Sequence, residues 1–230
     1  MALCINNLAF KLLKMDSKDF SKSNFPLASI ALLPKINFSK KVTNQTNFYF
    51  MGLGNDGTKA LIEFSKQNIN GKFIAINSNF STNELSKMNI EFFNFNEDCD
   101  FILNMIKLNA IISEKKYNNQ NTNEHYVLLA SLGELNDAYL STALIEQFKR
   151  EETKYTLIYS VPFSFESYFK RAFADIYLKG TQSNKNIKYV YADDIGKKKP
   201  NLKMIDVMRA LDNEMYKTWI IEFNLLYSKK

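Results

Sequence analysis

The strongest chemical signal in this 230-residue chain is Gly52-Leu53-Gly54-Asn55-Asp56-Gly57. It follows an apolar run, Phe48-Tyr49-Phe50-Met51, and precedes a helical pattern opening at Thr58. A glycine turn between strand and helix lets backbone N–H groups approach a phosphate, and the helix N-terminus adds partial positive charge. Asp56 opposes that chemistry, because a carboxylate in the turn repels the same anion. The G-x-G-x-x-G spacing also fits a dinucleotide site, which needs an acid about twenty residues on to hold the ribose hydroxyls. The chain offers Asn77-Ser78-Asn79 there, which counts against NAD or FAD.

Other chemistries find few residues. Cys4 and Cys99 are too few and too distant for a disulfide framework or a zinc site, and His125 is the only histidine. Histidine triads and multi-histidine metal centres are therefore not expected. The net charge is +6, but the basic residues scatter, apart from Lys197-Lys198-Lys199 and the terminal Lys229-Lys230. Such a pattern reads as a solvated surface, and no nucleic-acid partner is expected. No apolar run has the length of a membrane span, and the N-terminus lacks the parts of a signal peptide. A cytoplasmic location is the expectation.

The elements that must position the turn follow from hydrophobic patterning. Residues 1–45 read as an N-terminal extension. Leu3, Ile5, Leu8, Leu12 and Leu13 line one side of a short helix there, which packs on its own domain or, over residues 1–15, touches a membrane surface. Beyond it, strands are expected at Phe48–Gly52, Lys72–Asn77, Glu91–Asn96, His125–Ser131, Tyr155–Val161 and Ile187–Tyr191. Helices are expected at Thr58–Gln67, Phe101–Ile112, Tyr139–Arg150 and Phe165–Leu178, with a polar loop over Lys115–Glu124. Ile205, Met208, Leu211, Met215, Trp219, Phe223 and Leu226 mark a long amphipathic helix over Leu202–Leu226. Apolar strands alternating with helices imply an α/β fold: a Rossmann-like, mainly parallel six-stranded sheet with helices on both faces, ending in the long helix. Residues 46–200 form the nucleotide-binding-type domain, and 201–230 are its terminal helix. Ligands in such sheets bind beyond the C-terminal strand ends, where the glycine turn lies.

Several segments, taken in order, resemble the bacterial tubulin homologue FtsZ. The glycine turn followed by Lys72-Phe-Ile-Ala-Ile-Asn-Ser-Asn79 resembles its opening. Val161-Pro162-Phe163-Ser164-Phe165-Glu166 is similar to the family's K-P-F-x-F-E-G, and Lys170, Arg171 and Ala174 follow where the family has a basic cluster and an alanine-rich helix. Ile187–Ile195 resembles the next strand with its N-D-x-L end, and Leu202–Asn213 the start of the long central helix. The resemblance spans about Thr46 to Leu226.

It implies a guanine-nucleotide site whose contacts fall on Gly52, Gly54, Gly57, Gly133, Glu166, Lys170 and Asp212. Glu166 matches the ribose-binding glutamate, Lys170 an arginine that contacts nucleotide, and Asp212 the helix position that hydrogen-bonds guanine. Read without the resemblance, Glu166 is an acid at a helix N-terminus and Asp212 part of a solvated helix face. The departures concentrate on phosphate. The family's G-G-G-T-G-T-G loop is replaced by Gly133-Glu134-Leu135-Asn136-Asp137-Ala138-Tyr139, in which Glu134 and Asp137 add negative charge and Leu135 and Tyr139 add bulk. Two unit charges about 4 Å apart at an effective dielectric near 20 repel by roughly 4 kcal/mol, about three orders of magnitude in affinity. Asp56 and Lys59 stand where the family has glycine and asparagine, Asn94–Asp98 replaces a third glycine loop, and Ala192 and Met208 replace an asparagine and a stacking aromatic. The chain ends at Lys230, about where the central helix ends, so the catalytic N-x-D-x-x-D loop and the second domain are not expected.

Three readings follow. In the first, the chain is a degenerate FtsZ-like pseudo-GTPase with no catalytic residues and no cofactor, acting on a protein partner such as FtsZ and tuning its assembly in cell division. In the second, it is a GTP/GDP-binding switch in which Asp56, Glu134 or Asp137 holds a magnesium ion. In the third, it is a homo-oligomer without ligand, because Met215, Trp219, Ile220 and Phe223 need cover.

Overall fold

The computed structural model describes residues 46–67, 69–76, 79–93, 123–198 and 200–227. In chain order these form β1 (Thr46–Leu53), α1 (Gly54–Ser65), β2 (Lys72–Ile76), α2 (Thr82–Lys87), β3 (Ile90–Phe93), β4 (Asn123–Ser131), α3 (Leu135–Arg150), β5 (Lys154–Val161), α4 (Tyr168–Thr181), β6 (Ile187–Tyr191), α5 (Ala192–Lys198) and α6 (Met204–Tyr227). The expected extension over 1–45, the helix over Phe101–Ile112 and both cysteines lie outside the described residues.

The six strands make one sheet in the order β3-β2-β1-β4-β5-β6, and every pairing is parallel. Alternation along each strand supplies two cores. Tyr49, Met51 and Leu53 of β1, with Tyr126, Leu128 and Ala130 of β4, point to the face covered by α3 and α4. Phe50 of β1, with Val127 and Leu129 of β4, points to the opposite face, against Ala60, Leu61 and Phe64 of α1 and Val207, Leu211, Met215 and Trp219 of α6. Neighbouring strands β1 and β4 thus send their helices to opposite faces, which opens a crevice at their C-terminal ends.

Three expected helix starts need correction here. The helix after β1 begins at Gly54 and not at Thr58, because Gly54 takes a φ of 68° and turns the strand directly into the helix. Likewise α3 begins at Leu135, so the stretch read as a second loop is mostly a first helical turn. In the other direction, the helix expected from Phe165 starts at Tyr168, capped by Ser167, whose Oγ accepts the Lys170 N–H.

The residues of α6 that called for cover have it within the fold. Met215 and Trp219 are buried and Ile220 and Phe223 pack against the same core, so the motive for the homo-oligomeric reading moves to Ile221, Leu225 and Leu226, each more than half exposed. Trp219 anchors α6 among Phe48, Phe50 and His125. His125 is sealed below it, 2.8 Å from the Tyr227 hydroxyl through Nδ1 and 2.9 Å from Thr156 Oγ1 through Nε2. Burial, with Lys154 adding to it, lowers the His125 pKa to about 4.

Helix α4 is held differently. It buries only Ala174 and Leu178; the Tyr177 ring packs on the same core, edge-on to Tyr159, and hydroxyls add further ties. Tyr159 bonds Ser141 of α3 and donates to Tyr177 of α4 at 3.1 Å; Thr142 reaches Tyr177 at 2.6 Å, and Thr181 reaches Tyr189 of β6 at 2.5 Å.

Two predictions follow. A Cβ on Gly57 would fall 2.2 Å from the Leu129 carbonyl oxygen, whereas one on Gly180 meets nothing within 4 Å. Gly57→Ala should therefore lower stability by about 2–3 kcal/mol through overpacking, and Gly180→Ala should raise it by about 0.5–1 kcal/mol, both read by denaturant unfolding. The depressed pKa of His125 gives stability present above its unfolded value of 6.5 and lost as pH falls toward 4. Across that window wild type should lose about 3 kcal/mol relative to His125→Gln, checked by unfolding both proteins at pH 7 and pH 4.

Candidate functional site

The crevice between β1 and β4 brings the glycine turn and the Gly133 segment together. Within the turn, two glycines serve packing. A Cβ on Gly52 would meet the Gly57 carbonyl oxygen at 2.6 Å, and Gly57 itself lies against Leu129. These positions let α1 press on β1 and β4 with no side chain between them. Gly54 faces across the crevice, and the group it faces is Asp137 of α3: a Cβ there would fall 1.8 Å from Oδ1 and 2.5 Å from Oδ2.

Asp137 is 3% exposed, and its Oδ2 has no hydrogen-bond partner. Burial raises its pKa to about 8, Glu134 and Asp56 push the same way, and a backbone hydrogen bond with Ser131 and the charge of Lys170 pull against them. The carboxyl is mostly protonated at neutral pH. This corrects the sequence reading: Asp137 enters the crevice as bulk, while Glu134 and Asp56 are the acids that border it.

Lys170 crosses the rim. Its Nζ lies 2.6 Å from Glu134 Oε1 and 3.5 Å from Glu166 Oε2, and its pKa is raised, first by the hydrogen bond to Glu134. Gly133 lies under it, a Cβ there being 3.3 Å from Lys170 Cδ. Glu166 sits in the β5–α4 turn, where Oε1 accepts the Phe163 N–H at 2.8 Å. Asp193 Oδ1 holds the same turn by accepting from the Ser164 N–H at 3.0 Å. Lys59 is paired with Asp56 at 2.8 Å.

Beside the crevice, on the α6 side, lies a cavity of about 140 Å³ bordered by Asp56, Lys59, Ser160, Phe163, Glu166, Met208 and Asp212. Ligand pockets usually measure about 300–1,000 Å³, so this one is small. Asp212 is half-buried in its wall, not on a solvated face. Its pKa is raised to about 7 by burial, then by Glu63 and Asp56, against Lys59 and Lys66.

Of the residues named from sequence, then, Glu166 and Asp212 meet at this cavity, Lys170 and Gly133 at the rim, Gly54 in the crevice, and Gly52 and Gly57 in the packing beneath. Ser160 was not among them, Lys59 was named only as a departure from the family pattern, and Asp137 as an added charge and a candidate magnesium ligand. The sequence marked Asp137 as an acid in the replaced loop, but its inward direction depends on which face α3 presents. Among the described residues no group of three or more His, Cys, Asp or Glu side chains is placed to hold a metal ion. Asp137 fills the space over Gly54.

No protein-family model and no curated protein matches the chain. Solved structures do. CetZ from Methanosaeta thermophila is similar over 80% of this chain and 56% of its own, with a TM-score of 0.58 at 14% identity. An empty FtsZ dimer from M. jannaschii is similar over 87% and 57%, at 0.54 and 12%. CetZ1 from Haloferax volcanii, a GDP-bound monomer, is similar over 74% and 57%, at 0.52 and 15%. The chain therefore spans under three-fifths of the length of each of these proteins. Its six-stranded parallel sheet flanked by helices has the tubulin and FtsZ fold.

Proposed function

We propose that this chain is an FtsZ-like domain without GTPase activity, acting by binding a protein: FtsZ itself, whose assembly it would tune in cell division, or a second copy of the chain. The observation that carries this reading is that the charged groups around the strand ends already have partners within the fold. Lys170 is held by Glu134 and Glu166, Lys59 by Asp56, and Glu166 by the Phe163 N–H. A phosphate arriving there would have to break ion pairs and would face the released acids.

The surface around the same end supports a protein partner. Phe165, Tyr168 and Phe169 are 65%, 73% and 83% exposed. Phe165 stacks on Phe163 at 4.8 Å, Phe163 lines the cavity, and Ile205 borders it from α6, 59% exposed. Clustered exposed aromatic and aliphatic groups commonly mark protein contacts.

One observation favours the second reading, a guanine-nucleotide switch. The cavity places Asp212 beside Phe163 and Met208, an acceptor next to apolar walls, and CetZ1 of the same fold is a GDP-bound monomer in its solved structure. Among the described residues the magnesium ion of that reading has no ligand cluster.

Calorimetric titration separates the two. With GTP or GDP, with or without magnesium, the expected result is no binding tighter than millimolar and no phosphate release. Guanine-selective micromolar binding would replace the first reading with the second. For the partner, co-sedimentation with polymerised FtsZ and sedimentation of the chain alone are expected to show binding in one of the two. Phe169→Asp should weaken it at least about tenfold; an unchanged pellet with this variant would remove the aromatic rim from the interface.

A further inference from the structure

The N-terminus of α1 has the parts of an anion site: a glycine at positive φ, N–H groups without helical acceptors in a twelve-residue helix, and a crevice at the point where neighbouring strands send their helices to opposite faces. What occupies it is a side chain of the protein itself. We propose that the Asp137 carboxyl is a built-in stopper for a phosphate cradle at Gly54, and that this one group keeps phosphate and diphosphate anions out. The inference rests on the reading that the strand-end site takes no nucleotide, and it names the cause.

Three features support it. The carboxyl lies over the Gly54 Cα, so close that a Cβ there would overlap both of its oxygens. It is buried and carries an oxygen with no hydrogen-bond partner, an unfavourable placement that calls for a role in the crevice. Finally, the rim closes over it through Lys170, which bridges Glu134 beside α3 and Glu166 beside α4. The two helix N-termini that meet there favour an anion; the stopper supplies a carboxyl of the right shape from within, and an outside phosphate finds the space filled. Without the carboxyl, the N–H groups of the Gly54 turn would remain to receive one.

The test compares Asp137→Ala, which removes the stopper, with Asp137→Asn, which keeps its shape and cannot ionise. Binding of inorganic pyrophosphate and of GDP with magnesium is measured by calorimetry, and the Gly54 and Gly57 amides are followed by NMR. Wild type and Asp137→Asn should show no binding, while Asp137→Ala should bind pyrophosphate at least tenfold more tightly, with shifts confined to those amides. A folded Asp137→Ala that stays silent overturns the stopper and leaves the protein-binding reading standing. Equal gain in Asp137→Asn overturns it too, because repulsion and not volume would then be the barrier. GDP binding by wild type overturns both readings at once. Asp137→Ser serves if the alanine variant does not fold; unfolding of both would make the carboxyl a structural prop and end the proposal.

Discussion

The close approach of Gly57 to the Leu129 carbonyl is the constraint on which the rest of the site depends. A helix that lies on a parallel sheet usually stands off by the depth of its side chains. Here the first turn of α1 touches backbone, and that fixes its axis, its height above β4 and the direction in which Gly54 looks. Everything at the strand ends is arranged around that fixed turn: Asp137 reaches it from α3, Asp56 and Lys59 leave it toward α6, and the cavity is the space left between it and Met208. The glycines that read as a ligand motif are thus first a packing device, and one that remains necessary whether or not a ligand ever binds.

The fold was legible for a simple reason. Each strand is an apolar run, each helix has apolar residues at three- and four-residue steps, and buried parallel sheets require both. Ile187–Tyr191 carries this signal with Lys188 as its one charged residue, and β6 has those bounds. The short helices α2 and α5 carry almost none of it. A single residue of α2, Leu85, is buried, and nothing periodic surrounds it. Helix boundaries misled where a glycine removed the need for a loop, as at Gly54.

The site was legible only in part, and the missing part is directional. Sequence shows that Asp137 and Asp212 are acids near a ligand position; it does not show that one points inward. Asp212 follows Leu211 and so lies at the border of the buried stripe of α6, where a carboxylate is half covered and its proton affinity rises. Asp137, at the third position of α3, has the sheet behind it and α1 in front. Both are raised by the same cause, and both lie beside Asp56. Charge counted along the chain overstates the charge present in the fold.

Helix α4 has a thermal consequence of its own. Most elements here leave the sheet only by exposing apolar area, so their opening carries a large heat-capacity change and depends strongly on temperature. With Ala174 and Leu178 as its only buried residues and tyrosine and threonine hydroxyls as its ties, α4 exposes little when it lifts. Its local opening is governed more by hydrogen bonds, which water can replace, than by apolar area on the helix itself. The helix that bears Tyr168 and Phe169 is therefore the one whose position the fold constrains least and a contact can shift most.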